Sequence, residues 1–297
     1  MSLAHAQLPS RSTAKPFSAE PCSDPFYPRF PTRCLRRLEV HALNPPPRHA
    51  GTSQPSGEGE VPPSAHGGGA ARRLIGGVRA AAPPSLTMDY AGLAESAADK
   101  MGLYRRDADG WRSCRRTNEV AVSWRPSAEF AGNVYRAEGT VAARPQQVWE
   151  CIKPVAGGLR TQWDQNVKDF EVVEAVSDAV SVCRTTTPSA FMKIISPREF
   201  VDVILMRQYE DGTMLSAATN VEHPLCPPQA NFVRGYNYPC GCFCIPIPGE
   251  PDRTQLLSFF QTDLGGYLPQ TVVDSFFPAN IAGFYSNLTK AVKALKA

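Results

Sequence analysis

Residues 262–296 read TDLGGYLPQTVVDSFFPANIAGFYSNLTKAVKALK. Val273, Phe277, Ile281, Phe284, Leu288, Val292 and Leu295 recur every three or four residues. That spacing places them on one face of a helix. Gly265 and Gly266 allow a sharp turn ahead of it, and Pro269 suits the first helical turn, where no backbone N–H is needed. Lys290, Lys293 and Lys296 complement the dipole at the far end. Pro278 lies inside the pattern and predicts a kink near Asp274 to Phe277. Such a face either packs on a core or roofs a cavity that the rest of the chain builds.

Working outward, composition divides the 297 residues at Met88. Residues 1–87 carry Pro45-Pro46-Pro47, Pro62-Pro63, Gly67-Gly68-Gly69 and Pro83-Pro84, with no helical or strand period. They hold ten Lys and Arg against five Asp and Glu, whereas the remainder holds 21 against 23. Too little apolar surface is present to offset ordering entropy, so this segment is expected to be disordered. A presequence is the alternative use for an Arg-rich leader, but the prolines oppose an amphipathic helix. A start at or near Met88 is a further alternative. Residues 88–297 are expected to form one domain.

From Met88 onward the apolar and aromatic density is high and no basic stripe appears, which argues against nucleic-acid binding. No apolar run approaches a membrane span. Nine scattered cysteines have no disulfide-scaffold spacing and read as free thiols in a reducing compartment.

Leu93, Ala97, Met101 and Tyr104 mark a first helix. Trp111–Arg116, Val120–Trp124 and Asn133–Val141 alternate as strands, and Pro145 opens a short helix through Ile152. Leu159 to Val167 is a short helical or looped piece with Arg160 and Asp164 at helical spacing around Trp163. Two hairpins follow, Phe170–Val176 with Val180–Thr187 and Phe200–Arg207 with Met214–Val221. Between them, Pro188 and Pro197 bracket an apolar tip, Phe191-Met192-Lys193-Ile194. One or two strands within Phe232–Ile247 and a last one at Gln255–Gln261 complete an α+β pattern.

Catalytic groups are scarce. His223 is the single histidine after Met88, which removes two-histidine metal sites and most general-base triads. No nucleophile elbow or phosphate-cradling glycine loop occurs. Cys240, Cys242 and Cys244 share one strand face without Cys-x-x-Cys pairing, so they read as small strand side chains rather than a metal site. Asp263 and Asp274 read as solvated or capping groups. What remains is a sheet, an apolar loop tip and a long aromatic helix, able to enclose an apolar cavity with a few polar groups.

Ser196-Pro197-Arg198-Glu199-Phe200-Val201 resembles the Pro-Arg-Asp-Phe-Val motif of StAR-related lipid transfer (START) domains. Arg160-x-x-Trp163-Asp164 and Asp263-Leu264-x-Gly266-x-Leu268-Pro269 resemble two further motifs of that family, in order and at suitable spacing. The blocks Glu222–Pro228, Phe232–Gly235 and Pro239–Cys244 are most similar to its small soluble members that lack extra domains. The resemblance covers Met88 to Ala297. It implies a helix-grip fold, in which a curved nine-stranded antiparallel sheet grips the long C-terminal helix over an apolar tunnel. It implies a non-catalytic, cytosolic, monomeric carrier of one sterol or bile acid, with no cofactor or metal and transient contact with membranes. Arg160, Trp163, Thr185, Thr187, Phe191, Ile204, Met206, Ser216, Val273, Phe277 and Phe284 are then the expected ligand contacts. Phe191, Met192, Lys193 and Ile194 are the expected membrane-contact loop. A buried Glu/Arg pair known in the family falls on Thr185 and Ile204 here and is absent. Arg160 therefore stands as the main cation for a ligand carboxylate, or as the intrahelical partner of Asp164. A ligand sensor that recruits a partner, or a cyclase-like enzyme on the same scaffold, are the rival functions.

Overall fold

A computed structural model describes residues 88–190 and 192–295. All of them belong to the compact unit Arg79–Ala297. The expectations for residues 1–87, Phe191 and Lys296 lie outside the described residues.

Helix α1 spans Tyr90–Arg106. Asp89 caps it by accepting from the Gly92 N–H at 2.9 Å, and Arg105 and Arg106 sit in its last turn. Its buried stripe is Tyr90, Ala94, Ala97, Ala98, Met101 and Tyr104. Leu93, expected on that face, is only half-buried at its edge. The alanines let the helix lie close to the sheet.

The strands are β1 (Arg112–Arg116), β2 (Ala121–Pro126), β3 (Asn133–Val141), β4 (Asp169–Ala175), β5 (Val180–Thr186) and β6 (Arg198–Gln208). They continue with β7 (Met214–Asn220), β8 (Val233–Arg234), β9 (Tyr236–Asn237), β10 (Cys240–Ile247), β11 (Glu250–Phe260) and β12 (Thr262–Asp263). Short helices α2 (Pro145–Ile152) and α3 (Arg160–Trp163) precede β4, and α4 (Gln270–Ala294) ends the fold. Nine strands form one antiparallel path in the order β1-β2-β3-β11-β10-β7-β6-β5-β4. The two-residue β8 adds a tenth strand by pairing parallel to β6, and β9 with β12 makes a separate two-stranded sheet. The expected nine-stranded sheet is this path. Residues 232–247 hold three strands rather than one or two, because Gly235 and Tyr238-Pro239 break the run.

Cross-strand register sorts the side chains onto two faces. Val203, Leu205, Leu215, Leu257 and Phe259 point to α1 and form one core. Val122, Tyr135, Ala137, Cys244 and Leu256 point to α4 and form the other. On the α4 face, register aligns Thr185 with Phe200, Cys183 with Asp202, Asp202 with Asn220, Met206 with Ser216, and Ser216 with Cys242.

Helix α4 runs 25 residues straight through Pro278. Pro269 is its N-cap rather than part of the first turn, with ψ 136°. The residue before a helix takes an extended ψ, and proline's fixed φ permits it. Leu295 forms the C-cap and is exposed. The two halves differ in burial. Gln270–Phe276 contains no buried residue, whereas Phe277, Ile281, Phe284, Tyr285, Leu288 and Val292 are all buried. At about 1.5–3 kcal/mol per buried large apolar side chain, the second half is firmly held and the first is not.

Candidate ligand site

The second half of α4 is fastened by Tyr285. Its hydroxyl lies 3.0 Å from Ser258 Oγ, 3.0 Å from the Ala137 carbonyl and 3.1 Å from that of Leu256. Gly139 leaves the room: a Cβ there would fall 2.8 Å from the Tyr285 ring and 2.3 Å from the Glu119 carbonyl. Pro278 marks the boundary between the halves. It has no N–H to donate to the carbonyl of Asp274 four residues back.

The turn into α4 is held by Arg198 of the Pro-Arg-Glu-Phe-Val segment. Arg198 is 3% exposed and donates to the carbonyls of Leu264 (2.9 Å), Gly265 (3.3 Å) and Ser196. Gly265 and Gly266 both have positive φ, and a Cβ on Gly265 would meet the Arg234 carbonyl at 2.4 Å. Glu199, fully buried, takes Arg184 at 3.0 Å and Arg234 at 3.3 Å and accepts from the Gln229 N–H. The motif residues thus join β6 to the turn and to β8.

Under the first half of α4 lies a cavity of about 390 Å³, lined by Phe130, Tyr135, Tyr238, Leu264, Val273 and Phe277 among others. That size falls in the range of small-molecule sites. Of the expected contacts, it brings together Val273 and Phe277, and Phe277 stacks on Tyr135 at 5.2 Å.

A second group gathers at α3. Trp163 packs on Phe284 at 5.3 Å, and the Arg160 guanidinium lies 5.7 Å from the same ring. Trp163 donates to the Cys151 carbonyl at 2.9 Å. Arg160 Nε donates to Asp164 at 3.0 Å, so the intrahelical pair exists. Asp164 is buried and also accepts from the Asn166 amide. Burial opposes the Arg160 charge, and Asp164 outweighs it to raise the guanidinium pKa.

Arg160 keeps 35% of its side-chain surface accessible, although the protein around it is deep enough for burial to oppose its charge. Cys240 and Cys242 are also partly accessible, and burial pushes both thiols above their ordinary value. All three sit on the α4 side of the sheet, Cys242 packed against that core and Arg160 over the Phe284 ring. Thr185, Met206, Ser216 and Ala218 share that face and are half-buried. Helix α4 packs mainly on β1, β2, β3, α2 and α3. Ile204 lies on the same face but is buried, and Thr187 spends its hydroxyl accepting from the Arg198 N–H at 3.1 Å.

The loop between β5 and β6 closes by a two-way bridge between Ala190 and Ile195. Met192 (φ 54°) and Lys193 (φ 66°) both sit in the left-handed region, at about 1–2 kcal/mol each. Met192 is 77% exposed. Tyr267, beside the glycine turn, is fully exposed as well.

Four residues that sequence reasoning did not select belong to this face. Asp202 sits within the apolar run Phe200–Leu205, and a lone charge there was the available signal. Asn220 donates to the Asn237 carbonyl, Asn237 donates to Asp202, and Ser258 meets Tyr285. Among the described residues no cluster could hold a metal ion.

The START domain family matches residues 93–297. This chain belongs to the START domain family. The domain is 63% identical to StAR-related lipid transfer protein 5 of Bos taurus over 201 residues, 68% of this chain and 94% of that one. It is 36% identical to StAR-related lipid transfer protein 4 of Homo sapiens over 186 residues, 63% of this chain and 88% of that one. The solved structure of human StAR-related lipid transfer protein 5 superposes with a TM-score of 0.68 at 58% identity, covering 70% of this chain and 98% of that one. This START domain has the helix-grip α+β architecture, and no described helix is long and apolar enough to cross a membrane.

Proposed function

We propose that this chain is a non-catalytic carrier. It binds one sterol-like lipid, namely cholesterol, an oxysterol or a bile acid, between the sheet and α4, and moves it between membranes. The observation that carries this reading is the cavity beneath the first turns of a helix that is buried only from Phe277 onward. Relatives named as lipid transfer proteins support it. Burying several hundred Å² of apolar surface at about 25 cal/mol per Å² favours the bound lipid strongly over water. A bilayer offers similar burial, so the net difference is small and exchange is feasible. The barrier is opening of the lid. The test is mass spectrometry of native protein purified from a lipid-containing lysate. One sterol or bile acid per chain is expected, and a uniformly lipid-free protein that also fails to take up added cholesterol would contradict it.

The strained tip at Met192 and Lys193 is the proposed membrane contact, with Phe191 and Ile194 beside it. Met192→Asp is expected to slow sterol exchange between vesicles severalfold while thermal stability is kept. An unchanged rate would remove the loop from the mechanism. Pro278 is the proposed pivot. Pro278→Ala restores a helical hydrogen bond and is expected to slow exchange, and faster exchange would contradict this.

Arg160 is the proposed contact for a ligand carboxylate. Its Nε is occupied by Asp164, and the rest of the fork suits a bidentate anion. Arg160→Leu is expected to weaken bile-acid binding about tenfold more than cholesterol binding. Equal losses, read by titration with each ligand, would assign Arg160 to folding alone.

A further inference from the structure

We propose that Asp202 is the residue that selects a hydroxyl group on the bound lipid, through the carboxyl oxygen Oδ1. This inference rests on the carrier reading above and names the ligand chemistry of that site.

Asp202 is 5% exposed and lies on the α4 face of the sheet, aligned with Cys183 on β5 and Asn220 on β7. Its Oδ2 accepts from Asn237 Nδ2 at 2.8 Å. Asn237 is itself fixed twice. Its Oδ1 accepts from Thr262 Oγ1 at 2.7 Å, and its backbone carbonyl accepts from Asn220 Nδ2 at 2.7 Å. Thr262 also lines the cavity under α4, so the chain of bonds runs from the cavity wall to the carboxyl. Among the described residues Asp202 Oδ1 has no hydrogen-bond partner. A buried polar atom of this kind asks for a partner that the protein alone does not supply.

No arginine closes the gap. Arg234 commits its Nη2 to Glu199 and to the Cys226 carbonyl, and reaches Asp202 only through space. The other titratable groups facing Asp202 are the thiols Cys183 on β5 and Cys240 on β10. Cys240 also feels Arg160. Cys240 is thus within electrostatic reach of both an acceptor, Asp202, and a cation, Arg160. Burial raises the Asp202 carboxyl to about 7, so near neutral pH both its charged and neutral forms are accessible to a ligand.

A hydroxyl can donate to the ionised carboxylate, whereas a ketone can only accept from the neutral form. The probes are therefore cholesterol and cholest-4-en-3-one, titrated against the full chain at pH 8, where the carboxyl is mostly ionised. Wild type is expected to prefer the hydroxyl sterol by about tenfold or more, because a site built for a donor is left unpaired without one. Asp202→Asn keeps an acceptor for Asn237 and turns an N–H donor toward the ligand, so the preference is expected to vanish or invert. The same preference in both proteins would overturn the assignment. Calorimetry of wild type at pH 7 in two buffers gives a second measure that needs no variant. A donating hydroxyl favours the ionised carboxyl, so cholesterol binding is expected to release protons and the ketone is not; equal proton counts would overturn it. If both sterols bind wild type equally, only the Asp202 assignment falls. If neither sterol nor a bile acid binds, the carrier reading falls with it.

Discussion

Arg198→Met is expected to lower the stability of the folded chain by about 3–5 kcal/mol. The side chain is 3% exposed and no carboxylate neutralises it. Burial lowers its pKa, and the charge is sustained by three backbone carbonyls, those of Ser196, Leu264 and Gly265. Charge-assisted bonds of this kind contribute about 1.5–3 kcal/mol each, and orphaned buried carbonyls add a cost of their own. The methionine replaces most of the lost volume, which limits any cavity term. Chemical denaturation reads the change directly, and the melting temperature should fall by roughly 10 °C. The consequence extends past stability. Two of the three carbonyls belong to the glycine turn that aims α4, so amide exchange across Gly265–Asp274 should rise more than across Phe284–Val292. A loss under about 1 kcal/mol would show that the turn holds itself.

Asp202→Asn is expected to stabilise the protein, and only above acidic pH. The carboxyl titrates near 7 when folded, against 3.8 ordinarily, and the leading cause is burial. At pH below about 4 the folded and unfolded chains both hold the proton, so the group exerts no net effect. As pH rises through the interval to 7, the unfolded chain releases its proton first, and stability is lost progressively. Each unit of separation is worth about 1.4 kcal/mol, so the loss approaches about 4 kcal/mol at pH 8. The amide carries no charge and escapes it. The variant should therefore gain about 2–4 kcal/mol over wild type at pH 8 and nothing at pH 4. Other carboxylates cancel in the difference. A gain independent of pH, or none at pH 8, would contradict the account. A residue that destabilises its own fold in this way is what a binding function retains.

How much of this was legible in the sequence follows from how each feature is encoded. The aromatic period of α4 and the apolar, β-branched runs of β3, β6 and β7 are local patterns, and these elements appear where expected. The short strands β8, β9 and β12 carry two residues each and no period, and they form only because long-range pairing holds them. The placing of Thr185, Ile204, Met206 and Ser216 on one face follows from alternation alone. Their burial does not: Ile204 is packed, and Thr187 is spent on the Arg198 N–H. Cys240 and Cys242 read as small core side chains, yet both keep part of their surface accessible. Asp202 was visible as a charge in an apolar strand. Its meaning depended on Asn237 and Asn220, brought to it from 35 and 18 residues away in sequence.

The proposed pivot at Pro278 has the same character. A proline in a helix predicts a kink, but the structure assigns the division differently, between a first half with no buried residue and a second held by Tyr285. A carrier with such a lid should move lipid without consuming it. The most direct test is transfer of labelled cholesterol from donor to acceptor vesicles by the purified chain, at far less than one protein per sterol. The expected result is transfer many times faster than the spontaneous rate, with the sterol recovered chemically unchanged. Transfer at the spontaneous rate by folded protein that binds the sterol, or recovery of an altered sterol, would contradict it.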